Sequence, residues 1–192
     1  MKNKNLLRDF YMRPTLRVAR ELLGKYIVRR IGKKEIAGKI IETEAYIGPK
    51  DKASHAYGGK ITPRNWVEYL EGGHLYIYLV YGMYWQLNIV TEKAGKPECV
   101  LIRALDSNPP ATLKGKKHLA NGPGKVCRYL KLDKSFNGED LTPSSRGGGK
   151  RIWLENRGLR IKPSQIMATK RIGIDYAGPY WNHRKWRFVL KA

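Results

Sequence analysis

The 192-residue sequence predicts an α+β fold with a mainly antiparallel β-sheet. Segments with strand-like alternation outnumber segments long enough for helices, and few of them form the strand–helix–strand units that build parallel sheets. A chain of this length can bury one sizeable core, so we expect a single domain over residues 1–192.

The first predicted elements are a helix and two strands. Apolar residues recur at helical spacing from Thr15 to Leu23, and Gly24 is placed to end that helix. The segment KYIVRRIGKKEIAGKIIETEAYIG, residues 25–48, predicts two strands joined by a turn at Gly32-Lys33. Alternation divides the second strand into two faces: Ile41, Thr43, Ala45 and Ile47 on one, and Glu42, Glu44 and Tyr46 on the other.

Short helices and strands follow. In TPRNWVEYL, residues 62–70, Thr62 is a candidate N-cap and Pro63 suits the first helical position, so a helix is expected there. The later predicted elements are a strand from Glu98 to Leu105, a helix from Gly124 to Leu130, and a closing strand after a turn at Gly178-Pro179.

A hairpin is predicted at LYIYLVYGMYWQLNIV, residues 75–90, with its tip at Tyr81-Gly82-Met83. In the first strand, alternation places Leu75, Ile77 and Leu79 on one face and Tyr76, Tyr78 and Val80 on the other. In the second strand it places Trp85, Leu87 and Ile89 on one face and Tyr84, Gln86 and Asn88 on the other. Cross-strand aromatic packing explains most of this pattern, but it does not explain an apolar tip, since tips stand in water. Proteins that kink DNA insert apolar side chains between base steps, and enzymes that act on one base hold it between aromatic side chains.

Charge is the strongest signal in the composition. Lys and Arg number 38 against 16 Asp and Glu, for a formal net charge of +22. Such an excess repels itself unless a polyanion relieves it, which indicates nucleic acid as the partner. A ribosome-like protein or a merely soluble basic protein would show the same excess, and charge does not separate DNA from RNA.

The sequence carries no membrane or secretion signal. No segment approaches the roughly 20 uninterrupted apolar residues of a membrane span, and the N-terminus lacks a secretory pattern. We therefore expect an intracellular protein, in the cytoplasm or nucleoid of a prokaryote or the nucleus of a eukaryote. Cys99 and Cys127 lie far apart and complete no set of four zinc ligands, so we expect two buried thiols and no metal.

Glu44 is the first candidate for chemistry. A protein of this charge gains nothing from a carboxylate on a nucleic-acid-binding face unless the carboxylate has a task. Glu42 and Glu44 share a strand face with Tyr46. Both carboxylates could form surface ion pairs, which contribute little to stability, or one could be a general base that activates water.

His55, in DKASHAYGGK, is the second candidate. Taken alone it could be an ordinary loop histidine. It lies close to an acid, an aromatic residue and the Gly58-Gly59 turn, whose backbone N–H groups could approach a phosphate.

Nearly the whole chain from about residue 7 resembles the alkyladenine DNA glycosylase family, also called the mammalian-type 3-methyladenine DNA glycosylases. The segments that carry the resemblance are IIETEAYIGPKDKASHAYGGKITPRN, LYIYLVYGMYWQLNIV, CVLIRAL, NGPGKVC and RIGIDYAG, in family order. The resemblance implies a curved antiparallel or mixed sheet surrounded by helices, with a protruding β-hairpin that enters the DNA minor groove. It also implies a monofunctional DNA glycosylase of base excision repair.

The resemblance assigns catalytic and base-pocket roles. Glu44 matches the base that deprotonates the attacking water, and Arg103 matches a residue that helps to hold that water and the flipped nucleotide. Tyr46, His55 and Tyr78 match the walls that sandwich the flipped base, with the His55 backbone N–H reading the base edge.

Other residues match positions that contact the DNA. Asn88 matches the side chain that excludes normal guanine through its 2-amino group, and Tyr81, with Met83 beside it, matches the residue that fills the gap in the duplex. The expected contacts to the DNA backbone are Lys60, Thr62, Arg64 and Lys125. Lys60 replaces an Arg of the mammalian relatives and Gly124 replaces a Ser, which leaves Lys125 as the better phosphate contact in its segment.

The chemistry agrees with these roles. Cleavage of an N-glycosidic bond passes through an electron-poor sugar, which a nearby carboxylate stabilises while it activates water. No lysine lies in a Schiff-base motif, so we expect base release without strand cleavage, and no cofactor. The expected partner is duplex DNA carrying 3-methyladenine, 7-methylguanine, hypoxanthine or ethenoadenine, bound by a monomer. The alternative is a non-catalytic minor-groove DNA- or RNA-binding protein of the same fold.

Overall fold

Ten strands form one sheet in the computed structural model, which describes residues 4–107, 118–142 and 151–191. They are β1 Lys4–Asn5, β2 Tyr26–Ile31, β3 Lys34–Ile47, β4 Leu75–Val80, β5 Tyr84–Val90, β6 Glu98–Ser107, β7 His118–Asn121, β8 Ile152–Asn156, β9 Ile166–Thr169 and β10 Arg187–Leu190. The main order is β1-β8-β2-β3-β6-β5-β4, with β7 beside β6, β10 beside β3, and β9 beside β10. Each of these pairs is antiparallel, which confirms the predicted α+β class.

Four α-helices accompany the sheet in the described residues: α1 Arg8–Tyr11, α2 Thr15–Glu21, α3 Pro123–Leu130 and α4 Pro179–Asn182. The predictions of α2 and α3 are confirmed to within two residues at each end. Gly24 follows α2 with φ +79°, a conformation that glycine adopts without strain. Pro123 occupies the first position of α3, where its missing N–H costs nothing. No helix in the described ranges is long and apolar enough to cross a membrane.

The helix predicted to begin at Thr62 is confirmed only in part, because a short 3₁₀ helix begins four residues later, at Trp66. Residues 62–65 form a turn, which leads into a 3₁₀ helix at Trp66–Tyr69. The Thr62 hydroxyl accepts the Asn65 backbone N–H at 3.3 Å, and the Asn65 side chain accepts the Thr62 backbone N–H at 2.7 Å. Because the same buried Asn65 amide also donates to two loop carbonyls, the turn is fixed by contacts that a helical propensity does not report.

The main core lies between one face of the sheet and helices α2 and α3. Val18 of α2, Leu22 just after its end, and Val126 and Leu130 of α3 are fully buried there against side chains of β3, β5 and β6. Burying an aliphatic side chain of this size stabilises the fold by about 1.5–3 kcal/mol. Both cysteines are buried free thiols, as predicted.

A β-bulge interrupts β3 between Ile40 and Thr43. Ile40, not Ile41, therefore reaches the main core, which corrects the predicted face for Ile41. On one edge, β3 pairs with β2 before the bulge and with β10 after it, while β6 follows the other edge throughout. Glu44 is thereby enclosed between Arg187 of β10 and Leu101 of β6, in the interior of the sheet.

The two faces of the β4–β5 pair follow the predicted alternation. Leu75, Ile77, Leu87 and Ile89 enter the main core. Tyr76 and Tyr78 face the opposite side, where they pack with Val67, Val90 and Cys99 in a smaller cluster. The aromatic side of this pair thus faces a separate surface, and that surface carries the candidate site.

Candidate active site

A cleft of about 310 Å³ opens beside β4 and β5. Its walls include three aromatic rings, Tyr46, Tyr78 and Tyr176, together with His55 and the guanidinium groups of Arg64 and Arg103. The size falls at the lower end of the range of small-molecule pockets. Aromatic and cationic groups on one concave surface suit a flat ring attached to a phosphate chain.

The carboxylate of Glu44 lies behind this cleft and has no exposed surface. One of its oxygens, Oε1, accepts the backbone N–H of Ile172 at 2.9 Å and lies 3.5 Å from Nη1 of Arg103. The other oxygen, Oε2, accepts the Tyr46 hydroxyl at 2.9 Å. Tyr46, Arg103 and Ile172 all line the cleft. These three residues therefore both hold the Glu44 carboxylate and lie between it and the cleft.

Burial sets the protonation behaviour of this carboxylate. It raises the pKa of Glu44, and the positive charge of Arg103 and the hydrogen bonds from Ile172 and Tyr46 partly offset the rise. Burial and the adjacent carboxylate raise the pKa of Tyr46 well above its ordinary value, so the phenol stays a neutral donor. A carboxylate with a raised pKa is a stronger base than an exposed one, which suits it to take a proton from water.

Glu42 is ion-paired, as one interpretation of the sequence expected, but the pair is buried rather than at the surface. Its Oε1 accepts Nε of Arg103 at 2.9 Å and Nε of Arg187 at 2.6 Å. Glu42 is 8% exposed, and it fixes the guanidinium of Arg103 beside Glu44. The two carboxylates of the shared strand face therefore differ: Glu42 positions an arginine, and Glu44 lies at the cleft.

A fully buried ion pair supports the cleft from behind. Arg171 donates to both oxygens of Asp51 and to the backbone carbonyl of Ala45, and the side chains of both ionic partners have no exposed surface. The guanidinium also lies 4.7 Å from the ring centroid of Tyr46. Asp51 and the Ala45 carbonyl thus anchor Arg171, the residue just before Ile172, and its guanidinium packs against the ring that bonds Glu44.

The predicted base-stacking residues meet at one wall of the cleft. The rings of His55 and Tyr78 lie 4.5 Å apart in an edge-to-face arrangement, and Nδ1 of His55 is 2.7 Å from the hydroxyl of Tyr76. Crowding by protein atoms and the charge of Arg64 lower the pKa of His55 to about 4, so the ring is neutral near pH 7. The Arg64 guanidinium lies 5.0 Å from the Tyr78 ring centroid at the same wall.

A small cavity of about 20 Å³ adjoins the cleft, with which it shares Tyr46, Ala53, His55 and Tyr78. Asn88 lines this cavity; it is 1% exposed, and its amide donates to the Tyr76 carbonyl at 3.2 Å. The volume suffices for one water molecule but not for a purine.

The turn between β4 and β5 presents its side chains to solvent. Tyr81 is 85% exposed and Met83 is 64% exposed. Tyr81 and Gly82 have φ of +51° and +68°, and the Met83 N–H donates to the Val80 carbonyl at 3.1 Å. This is the pattern of a type I′ turn, in which a tyrosine is unusual because its side chain strains the left-handed backbone.

The four residues expected to contact the DNA backbone lie around these openings. Lys60, Thr62 and Arg64 are exposed along the loop after His55. Lys125 is exposed at the start of α3, where it lines a second groove of about 420 Å³ together with Tyr81 and Tyr84. A Cβ at Gly124, where the mammalian relatives carry serine, would lie 3.0 Å from the Tyr84 ring, a tight contact that would require Tyr84 to shift.

Metal ligands do not cluster in the described residues: no group of three or more His, Cys, Asp or Glu side chains is close enough to hold an ion.

Comparison with known proteins identifies the family. The sequence model of the methylpurine-DNA glycosylase (MPG) family matches residues 9–192. The chain belongs to the methylpurine-DNA glycosylase family. As a member it is a DNA glycosylase, a hydrolase of N-glycosyl bonds that acts in DNA repair.

Relatives of this glycosylase match over almost their full length. A protein of Methanocella arvoryzae is 46% identical, over 97% of this chain and 92% of its own. Proteins of Desulfitobacterium hafniense and Borreliella burgdorferi are 41% and 42% identical, over 98% and 96% of this chain and over 96% and 95% of their own. All three carry the name "Putative 3-methyladenine DNA glycosylase".

Sequence reasoning missed several groups of the glycosylase cleft. Asp51 and Arg171 look like ordinary surface charges in the sequence, where they stand 120 positions apart. Ile172 contributes only a backbone N–H, which no side-chain pattern reveals. Only one feature of the sequence could have indicated Glu68: it is an acid between Val67 and Tyr69 in a segment predicted to be helical. The structure buries its side chain at the small cavity.

Proposed function

We propose that this methylpurine-DNA glycosylase acts as a monomer on duplex DNA, flips a damaged purine into the cleft and hydrolyses its N-glycosidic bond without a cofactor. The proposed substrates are 3-methyladenine, 7-methylguanine, hypoxanthine and ethenoadenine. The names of the relatives support the first of these. The observation that carries the proposal is the buried Glu44 carboxylate, held by Tyr46 and Ile172 beside Arg103, directly behind a cleft with aromatic walls.

Glu44 is proposed as the general base. A water molecule gives a proton to Glu44 while its oxygen bonds to C1′ of the deoxyribose, and the C1′–N9 bond breaks with its electron pair going to the purine. An alkylated purine already carries positive charge and leaves as a neutral base, whereas hypoxanthine must gain a proton to leave. The negative charge of Glu44 also stabilises the electron-poor sugar in the transition state.

Arg103 is proposed to hold the water and the flipped nucleotide. Its guanidinium is fixed at Nε by Glu42, and Nη1 lies 3.5 Å from Glu44. Arg103 also lines the cleft. A fixed cation at this place orients the water without any movement of the side chain, which lowers the entropic part of the barrier.

The flipped base is proposed to stack between Tyr46 on one side and His55 and Tyr78 on the other. A cationic purine is attracted to the electron-rich faces of tyrosine rings. Within the described residues the backbone N–H of His55 donates to no protein acceptor, so it is free to read the base edge. Asn88, at the adjoining cavity, is proposed to exclude guanine because its fixed amide leaves no room for a 2-amino group.

Tyr81 is proposed to fill the gap that the flipped nucleotide leaves in the duplex, with Met83 beside it. Its side chain is the most exposed of the large hydrophobic residues that the structure describes. It also lies between the cleft and the groove of Lys125, since it lines both. Lys60, Thr62, Arg64 and Lys125 are proposed to contact the DNA backbone on the two sides of this wedge.

Release of free base from a duplex with one hypoxanthine, measured by chromatography, tests this mechanism. We expect the wild type to release the base and leave an abasic site in an intact strand. Loss of a general base costs about 10²- to 10⁴-fold in rate, so Glu44→Gln is expected to be slower by at least about 100-fold while it binds the duplex as before. Glu155→Gln, at a buried carboxylate of β8, is the matched control and is expected to retain activity.

Two results would count against the proposal. A wild type that releases no damaged purine from any of the four substrates would refute the substrate assignment. A Glu44→Gln variant as fast as the wild type would show that another group activates the water.

A further inference from the structure

Glu68 is a buried carboxylate that the proposed mechanism does not use. It lies in the 3₁₀ helix Trp66–Tyr69 and is 1% exposed. Its Oε1 accepts the thiol of Cys99 at 3.5 Å. Its Oε2 is buried and has no hydrogen-bond partner among the described residues. Buried carboxylate oxygens are normally paired, so an unpaired one requires an explanation.

The unpaired oxygen belongs to a side chain that lines the small cavity beside the cleft. The cavity shares Tyr46, His55 and Tyr78 with the cleft, and these are the rings between which the flipped base is proposed to stack. A base stacked between Tyr46 on one side and His55 and Tyr78 on the other would therefore point its edge toward the small cavity and Glu68. Asn88 lines the same cavity, so the two side chains would face the same base.

The cavity supplies no counter-charge to Glu68. No Lys or Arg lines it, and burial lowers the pKa of His55 to about 4, which leaves that ring neutral near pH 7. Burial raises the pKa of the Cys99 thiol and of the Tyr76 and Tyr78 phenols, which stay neutral as well.

Arg64 acts on Glu68 only at longer range, from the wall of the cleft, and burial raises the pKa of Glu68 to about 7. The carboxylate is thus without a close positive partner until a ligand brings one.

We infer that Glu68 is a specificity-determining residue that selects cationic alkylated purines over neutral damaged purines. The unpaired oxygen would accept an N–H of the base, such as the 6-amino group of 3-methyladenine, and the carboxylate would neutralise the positive charge of the ring. Hypoxanthine is neutral, so it brings no positive charge to the carboxylate, and it lacks the 6-amino donor. This inference rests on the proposed function, since it requires the base to enter between the three rings.

The test is the ratio of two rates of base release, one for 3-methyladenine from methylated duplex DNA and one for hypoxanthine from a matched duplex. Glu68→Gln keeps the size of the side chain and removes its charge. We expect it to lower the ratio by at least about 10-fold, which is the effect of 1.4 kcal/mol of lost preference. The matched control, Glu155→Gln, removes a buried carboxylate of β8 far along the sheet and is expected to leave the ratio unchanged.

The pH dependence of the ratio separates a charge effect from a structural one. Glu68 changes charge between pH 6 and pH 8, and the groups that face it do not. The pKa values of His55, Cys99, Tyr76 and Tyr78 lie outside this range, and Arg64 stays charged. Ionisation of Glu68 as the pH rises should therefore increase the ratio in the wild type. In Glu68→Gln the ratio should stay flat.

The outcomes distinguish this inference from the function on which it rests. A ratio that is the same in Glu68→Gln as in an active wild type overturns the inference and leaves the proposed function standing. Equal losses for both substrates make Glu68 a structural residue and overturn the inference too. A wild type that releases neither base refutes the proposed function, and this inference with it.

Discussion

The buried pair of Arg171 and Asp51 provides the sharpest test of how the cleft is held together. Replacing Arg171 with Met keeps the length of the side chain and removes its charge. The change breaks two contacts to Asp51 and one to the Ala45 carbonyl at 3.0 Å. Asp51 retains the backbone N–H groups of Ala53 at 3.0 Å and Ile47 at 3.3 Å, but its charge is left without a partner in a site with no exposed surface.

Removing one partner of a buried ion pair destabilises a protein by about 3–5 kcal/mol. A domain has only about 5–15 kcal/mol of free energy of unfolding, so Arg171→Met is expected to remove a large part of it. Asp51→Asn should cost a similar amount because it leaves a buried guanidinium unpaired. The double variant leaves no unpaired charge. Its loss of unfolding free energy is therefore expected to be smaller than that of the less stable single variant.

Urea unfolding followed by tryptophan fluorescence measures these free energies, and one of the five tryptophans, Trp186, lies against the Arg171 guanidinium at 5.1 Å. Arg17→Met is the control, because Arg17 pairs with Glu21 on the exposed side of α2 and such pairs contribute about 0.3–0.5 kcal/mol. If the losses of the two single variants simply add in the double variant, the pair does not act as a unit and the reasoning is refuted.

Two further predictions concern catalysis and DNA. Tyr46→Phe removes the hydroxyl that donates to Glu44, so the pKa of Glu44 should rise further. Because the base must be ionised, the acidic limb of the pH profile of kcat/KM should move to higher pH. An unmoved limb would contradict the role of this hydrogen bond. Tyr81→Ala should slow excision by about 10-fold, the scale of one lost stacking contact, while salt-dependent binding to undamaged duplex stays within about twofold. An equal loss of undamaged-duplex binding, measured by fluorescence anisotropy, would make Tyr81 a general anchor instead.

Period-two and period-3.6 patterns made the elements of this fold predictable from the sequence. Leu75 and Ile77 enter the core while Tyr76 and Tyr78 turn to the cleft, as alternation requires of a strand with two packed faces. The helix that ends before Gly24 follows from its apolar spacing in the same way.

Two local features escaped these patterns. The bulge that places Ile40 rather than Ile41 in the core adds one residue to a strand, and periodicity cannot anticipate one inserted residue. The turn at Thr62 replaces a helix because Asn65 bonds to carbonyls up to ten residues away. Both depend on neighbours that a local pattern does not contain.

Residues of the candidate site were predictable only where the family resemblance included them or where their charge was unexpected in so basic a chain. Glu44 was conspicuous as an acid in a chain with net charge +22, and the structure encloses it beside Arg103. Asp51 and Arg171 gave no such signal, because their partnership exists only after distant strands assemble. The burial of Glu68 likewise depends on packing against Cys99 of β6, 31 positions away.

The side chain of Asn65 has a mechanical consequence for a protein that must examine many bases. Its amide accepts from both the backbone and the hydroxyl of Thr62, and it donates to the carbonyls of His55 and Lys60. Lys60 and Thr62, proposed to touch the DNA backbone, and His55, proposed to contact the base, are thereby tied to one fully buried group. The residues that contact the sugar–phosphate chain and the residue that contacts the base would then move together as one rigid unit. A DNA strand bound in a shifted position would therefore present its base in a shifted position as well.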